Sequence, residues 1–271
     1  TQLERTAQLL NAVYRAINDI KTSVRFMRKT VAIDGNPYKI DQSKITLFGV
    51  GSGGYVALAY PTMNQWAEVS LPKFQLPNGQ SVIDSNIVGN LDGFGGMLNQ
   101  NNWPGYSSAV NMAINVGGAM ADTSWLDGGE VPMVSFHAVR DPFAPYRQGI
   151  VVVPTTNENV VEVQGAGIFQ GLINAYGNNA PIADVNKFRD PVSNVARSNY
   201  NQTIPYIYPA PNDQINTGSG EGLWPIIRPV RNLPLGPGGS ITTFFNETDP
   251  YTWWDSTTLT FVVAATNAQT G

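Results

Sequence analysis

Apolar residues recur at three- and four-residue intervals in the first part of the chain: Leu9, Leu10, Val13, Ile17, Ile20, Val24 and Met27. That spacing places one apolar stripe along a helix. Arg25, Arg28 and Lys29 fall where the last turn is expected, and cations suit the negative end of a helix dipole. Gly35, Asn36 and Pro37 mark a loop. Ile45, Thr46, Leu47 and Phe48 form a short β-prone run without alternation, the pattern of a strand buried on both faces of a parallel sheet. A glycine-rich stretch, Gly49-Val50-Gly51-Ser52-Gly53-Gly54, follows. Tyr55 to Ala59 then read as a buried helix closed by Pro61. Helix, strand, glycine turn and helix in that order predict an α/β unit.

From Pro61 to about Tyr106 the periodicity is poor, and Asn, Gly and Pro are frequent. This reads as an excursion over the top of the sheet. Strand signals return at Val110–Val116 and Val131–Phe136. Ile150 to Val153 form another apolar run, and Val160, Val161 and Val163 a partial one. Ile168 to Tyr176 predict a helix ending at Gly177. From Pro181 to Pro250 regular signals are few, and Leu259 to Ala265 read as a final strand. The expected organisation is a core over 1–180 with the excursion at about 61–106, then an irregular extension over 181–271.

Composition narrows the chemistry. The chain has 271 residues, no Cys and one His. No disulfide framework, thiolate nucleophile or Cys-ligated metal is available, and no cofactor or metal is expected. Charged residues are 13% of the chain, about half the usual share. The net charge is -4 and the pI is near 5.0, so no footprint for nucleic acid is expected. The mean hydropathy is -0.15, and no apolar run reaches the ~18 residues of a membrane span. Low charge with many Asn, Gly, Pro, Thr and aromatic residues leans towards an extracellular or cell-surface protein. The first residue is Thr1, which suggests processing or a fragment.

The glycine turn has three readings. A phosphate-binding loop needs Lys and then Ser or Thr at the helix start, where Gly54 and Tyr55 stand. Gly49, Gly51 and Gly54 fit the dinucleotide pattern G-x-G-x-x-G, which also asks for an acidic residue about 20 positions on at a strand end. Glu68 is near that distance, with no strand signal before it. The third reading is a nucleophile elbow, G-x-S-x-G.

For the elbow the context agrees. Ile40-Asp41-Gln42-Ser43-Lys44-Ile45, the strand run and the turn resemble the approach to the elbow in α/β-hydrolase carboxylesterases and lipases. The helix bearing Ala16, Asp19, Ile20, Ser23, Val24, Arg25 and Phe26 resembles the family's helix before that strand. Val131-Pro132 through His137, Asp141, Pro142 and Pro145-Tyr146 resembles the strand and loop that carry the family's acid. The resemblance covers roughly Ala12 to Tyr176. It implies a mostly parallel sheet with flanking helices, with the first strands of the fold missing from this chain, plus a long Pro/Asn-rich C-terminal region.

The departures decide the functional expectation. Aligning the glycines puts Gly51 at the nucleophile position, so acyl-enzyme chemistry has no nucleophile there. Ser52 then takes the next position, whose backbone N–H contributes to an oxyanion hole. Shifting the alignment makes Ser52 the nucleophile but puts Val50 where the first elbow glycine belongs. The only imidazole, His137, precedes Asp141, whereas in this order the triad base follows the acid. Gly51, Ser52 and Asp141 therefore read as a vestigial site, with Asp141 a loop-capping carboxylate. Because the chain begins at the elbow helix, the elbow strand is expected to find partners outside Thr1–Gly271: an upstream segment, a partner chain or a second copy.

Other surfaces remain open. Trp103, Trp125, Trp224, Trp253 and Trp254, with Tyr206, Tyr208 and Tyr251, offer either a glycan-stacking surface or core and interface filling. Asn201-Gln202-Thr203 and Asn246-Glu247-Thr248 match the glycosylation acceptor pattern. Asp84, Asp92, Asp122 and Asp127 are isolated carboxylates without EF-hand spacing. The expectation is an inactive, hydrolase-like extracellular protein with a structural or binding role, as a subunit of a larger assembly. The alternative is an active serine esterase using Ser52 and Asp141 with a base from outside the chain.

Overall fold

The computed structural model describes residues 1–100, 102–141, 143–153, 156–183, 190–206, 213–227, 231–235 and 239–243. Helix α1 (Gln2–Ile33) opens on a capping box, in which the Thr1 hydroxyl accepts from the Glu4 N–H and the Glu4 side chain bonds back. The predicted basic last turn is corrected. The helix runs on to Ile33, and its last turn carries no basic residue. Lys29 instead reaches past the end to pair with Asp34 at 2.7 Å.

Strand β1 (Thr46–Val50) leads through the glycine turn into α2 (Ser52–Thr62), which carries Pro61 inside its last turn. The excursion holds two 3-10 turns, Trp66–Ser70 and Pro72–Phe74, and the single turn α3 (Ser85–Val88). Strands β2 (Met112–Val116) and β3 (Met133–Ala138) follow, then β4 (Gln148–Val152), β5 (Asn159–Gln164) and α4 (Ala166–Ala175). Helix α5 (Pro191–Ser198) precedes β6 (Thr203–Tyr206), β7 (Asp213–Asn216), β8 (Leu223–Ile226), β9 (Arg231–Leu235) and β10 (Gly239–Thr243).

The central sheet has the order β1-β2-β3-β8, and every neighbouring pair is parallel. With its flanking helices this is an α/β architecture. The fourth strand comes from the stretch that its sequence marks as irregular. The apolar runs around Ile150 and Val161 do not join the sheet; they form the antiparallel hairpin β4–β5, which packs on α1. Trp125, Tyr14, Phe74, Leu58, Met133 and Phe169 are among the largest buried side chains of the core.

A second correction concerns β1. Read as buried on both faces, it is an edge strand whose exposure alternates. Phe48 is 67% exposed and Val50 38% exposed, whereas Gly49 is buried. In this arrangement Phe48 forgoes most of the about 1.5–3 kcal/mol that burial of such a side chain contributes.

The excursion is tied down by a feature that apolar periodicity does not register. On a polar face of α1, the side chains of Asn11, Tyr14, Asn18, Lys21, Arg25 and Arg28 donate to main-chain carbonyls. The acceptors are Val82 (3.0 Å), Gly89 (2.9 Å), Val88 (3.1 Å), Leu91, Asp92 and Ala109 (2.7 Å). A chain segment with little regular structure thus finds partners for its carbonyls on a neighbouring helix.

Candidate functional site

The turn after β1 is fixed by contacts that exclude side chains. A Cβ at Gly49 would lie 2.0 Å from the Gly53 carbonyl oxygen, and one at Gly54 only 2.3 Å from Asn115 Oδ1 and 2.9 Å from the Gly118 nitrogen. Gly51 differs. Its backbone sits at φ 57°, ψ −118°, a conformation that L side chains rarely adopt. A Cβ built there would meet nothing within 4 Å. Its N–H donates to the Val116 carbonyl at 2.8 Å. So the position assigned to the nucleophile is the strained one, with open space in front of it and no side chain to fill that space. Ser52 is exposed at the first residue of α2.

The loop after β3 is built the opposite way, from side chains. Asp141 is buried, and its Oδ1 accepts the N–H groups of Phe143 (2.8 Å) and Ala144 (2.9 Å). This is the loop-capping geometry expected of it. His137 is fully buried. Its Nε2–H donates to the Ala144 carbonyl at 2.9 Å, while Nδ1 accepts the Ala166 N–H at 3.5 Å. Burial lowers its pKa to about 4, so the ring is neutral at physiological pH. Asp141 Oδ2 stands 3.8 Å from Nε2, too far for a hydrogen bond. Tyr146 packs edge-on against the imidazole and donates to the Thr217 carbonyl at 2.6 Å.

The two turns meet in one groove of about 750 Å³. Gly51, Ser52 and Asp141 all line it, so the three residues singled out by the elbow pattern are brought together; His137 is not among the lining residues. The remaining walls are mostly apolar, from α1 (Leu9, Val13, Ala16, Ile20), β1 (Phe48) and β4 (Val152). Tyr55, which composition and motif leave unremarked, also faces it, and burial followed by the Asp141 charge pushes its phenol up. The signal was its place at the fourth residue of α2, one turn in from the glycines.

The dinucleotide reading loses its acidic residue. Glu68 lies in a 3-10 turn, buried, with Oε2 accepting the N–H groups of Asn64 and Gln65 at 2.7 Å each. Three of the four isolated carboxylates are likewise occupied. Asp84 caps α3, Asp122 caps a 3-10 turn and pairs with Lys73 at 2.7 Å, and Asp127 accepts from Gln65 at 3.1 Å. Among the described residues no group of three or more His, Asp or Glu side chains is placed to hold a metal ion, and no helix is long and apolar enough to cross a membrane.

The three described tryptophans of the aromatic set make separate contacts. Trp125 is a core residue donating to the Glu68 carbonyl at 3.0 Å. Trp224 stacks on Phe136 with ring centroids 4.8 Å apart. Trp103 leans on Phe26, with the Lys29 ammonium 5.7 Å from its ring. Trp253, Trp254, Tyr208, Tyr251, Asn246–Thr248 and the run Leu259–Ala265 lie outside the described residues, as does the side chain of Tyr206. Asn201 is exposed at a turn.

No family model, curated protein or solved structure matches the chain.

Proposed function

We propose that this chain is an α/β-hydrolase-like protein that has kept the elbow and lost the triad, and that its role is binding or structural. The observation that carries the reading is Gly51, which holds the strained backbone expected of an elbow nucleophile and supplies no nucleophile. The only imidazole of the chain supports it, being neutral and engaged by main-chain groups on both nitrogens. An extracellular or surface setting, in a larger assembly, belongs to the same proposal; its support is the low charge and the Asn-, Gly- and Pro-rich composition.

A second reading keeps one observation of its own: Ser52 and Asp141 share the groove. In it Ser52 attacks an ester and a base arrives from outside the chain. Hydrolysis of p-nitrophenyl butyrate separates the two. The expected rate for the protein equals that of its Ser52→Ala variant, with and without added imidazole. Turnover that imidazole raises and Ser52→Ala removes would establish the esterase instead.

A further inference from the structure

Three cations gather on α1 away from the groove. At about 100° per residue, Lys21, Arg25 and Arg28 stand on a different side of the helix from Val13, Ala16 and Ile20. They surround Tyr60. The Lys21 ammonium is 5.8 Å from its ring centroid, and the charges of Arg25 and Arg28 act on its hydroxyl. Arg25 is 2% and Lys21 8% exposed, and side chains of this kind are rarely so buried without an opposite charge. Arg5, Lys29, Lys44 and Lys73 each pair with a carboxylate at 3.3 Å or less. Among the described residues no carboxylate pairs with Lys21, Arg25 or Arg28. Asp92, an exposed residue, acts on Lys21 and Arg25 from farther away.

The second observation concerns hydrogen bonds. Each cation donates to a main-chain carbonyl: Lys21 to Leu91, Arg25 Nη2 to Asp92 and Arg28 Nη2 to Ala109 at 2.7 Å. Arg25 Nη1 and Arg28 Nε are buried without a partner among the described residues, and so is Asn18 Oδ1. Asn18 belongs to the same place. A Cβ on Gly93 would lie 3.3 Å from Asn18 Cβ, and Arg25 holds the residue before it. Two donors therefore lack an acceptor, and one acceptor lacks a donor, beside an excess of positive charge.

That combination selects among occupants. Water answers the polar atoms and leaves the charge unbalanced. Chloride and sulfate balance the charge and have no proton for Asn18 Oδ1. A hydrogen-bearing phosphate does all of it, since its oxygens accept from guanidinium groups and its P–O–H donates. Access is set by Phe94, whose ring lies 4.1 Å over the Arg25 guanidinium. Its main chain is pinned to Asn90, donating to Oδ1 at 3.0 Å and accepting from the Asn90 N–H at 2.8 Å. The ring is thus the part that can turn. A rotamer change admits a small ion, whereas a carboxylate carried on a peptide would have to bring its main chain under the same cover.

We propose that Arg25, Arg28 and Asn18 form a site for inorganic phosphate in its hydrogen-bearing form, closed by the ring of Phe94. Lys21 adds to its positive field. The site is separate from the groove and does not depend on how the groove is used.

A nitrogen–proton NMR titration at neutral pH and fixed ionic strength tests it, with inorganic phosphate, sulfate and chloride as the three probes. The Arg28 Nε–H and Phe94 N–H signals move with phosphate and saturate, and sulfate binds about tenfold more weakly for want of a proton to donate. In Asn18→Leu the two oxyanions bind alike. Arg25→Gln abolishes saturation. Arg28→Lys keeps the charge and removes the Nε–H, so it weakens binding about fivefold should Arg25→Gln fold poorly. Equal, non-saturating movement with all three salts would reduce the effect to screening and overturn the proposal. So would no movement, or crystals grown in phosphate that show only water or a carboxylate of the chain at Arg25.

Discussion

The turn after β1 and the loop after β3 end neighbouring parts of one sheet and line one groove, yet they are held in place by opposite means. In the first, backbone packs on backbone, and the conformation follows from the side chains that are missing at Gly49, Gly54 and Gly118. In the second, Asp141, His137 and Tyr146 spend their polar atoms on main-chain groups. The glycine turn contains no ionisable group and is indifferent to pH. The loop after β3 depends on protonation. One side of the groove is thus shaped by missing side chains, while on the other Asp141 and His137 act as internal fasteners.

The sharpest break of this contrast is Gly49→Ala. The new methyl meets the Gly53 carbonyl at 2.0 Å, and backbone has no rotamer to escape into, so a loss above about 4 kcal/mol is expected in urea unfolding. Gly51→Ala, two residues on, meets no atom and is limited to the cost of its positive φ, about 1–3 kcal/mol. Equal losses at the two positions would mean that the turn is not shaped by crowding.

On the other side, His137→Leu keeps the volume and orphans the Ala144 carbonyl and the Ala166 N–H, each worth about 1–3 kcal/mol when buried and unpaired. Its thermal midpoint should fall.

The smallest effect is the pH slope. The folded imidazole has a pKa near 4 against 6.5 for an unperturbed imidazole. Between these the unfolded chain binds the proton that the folded one refuses, so stability falls as pH drops from 6.5 towards 4. Glu130 works the other way. Burial raises its carboxyl to about 8, the folded chain holds the proton, and stability falls as pH rises from 4.5 towards 8. Glu130→Gln should therefore shrink the alkaline decline, to which the raised Glu68 also contributes, and leave the acidic one, and His137→Leu in that background should shrink the acidic one as well. Thermal midpoints across pH 4–8 report both.

Much of the fold is written in periodicity. The stripe from Leu9 to Met27, the short runs at β1, β2 and β3, and the helix before Gly177 all announce themselves, because each is a run or stripe of apolar residues. β8 does not. Leu223-Trp224-Pro225-Ile226 carries a proline that argues against a central strand, and the position is tolerated because β8 ends the sheet order. Exposure of β1 is equally hidden, since an apolar run reads the same whether or not its outer side is covered. At the site, the turn glycines and the capping role of Asp141 are legible; the neutrality of His137 is not, because it depends on how completely other elements bury the ring. The polar ladder of α1 did leave a trace, as Asn11, Tyr14, Asn18, Lys21 and Arg25 repeat every three or four residues. A search for apolar stripes passes over it.

That ladder has a consequence for what the loop it holds is free to become. Its six side chains reach carbonyl oxygens, which every amino acid has. Five of the six hold the 82–92 segment by its path rather than by its side chains. An exposed position such as Ile87 can therefore be rewritten without loosening the mooring, whereas the buried Ile83 and Val88 and the crowded Gly89 cannot.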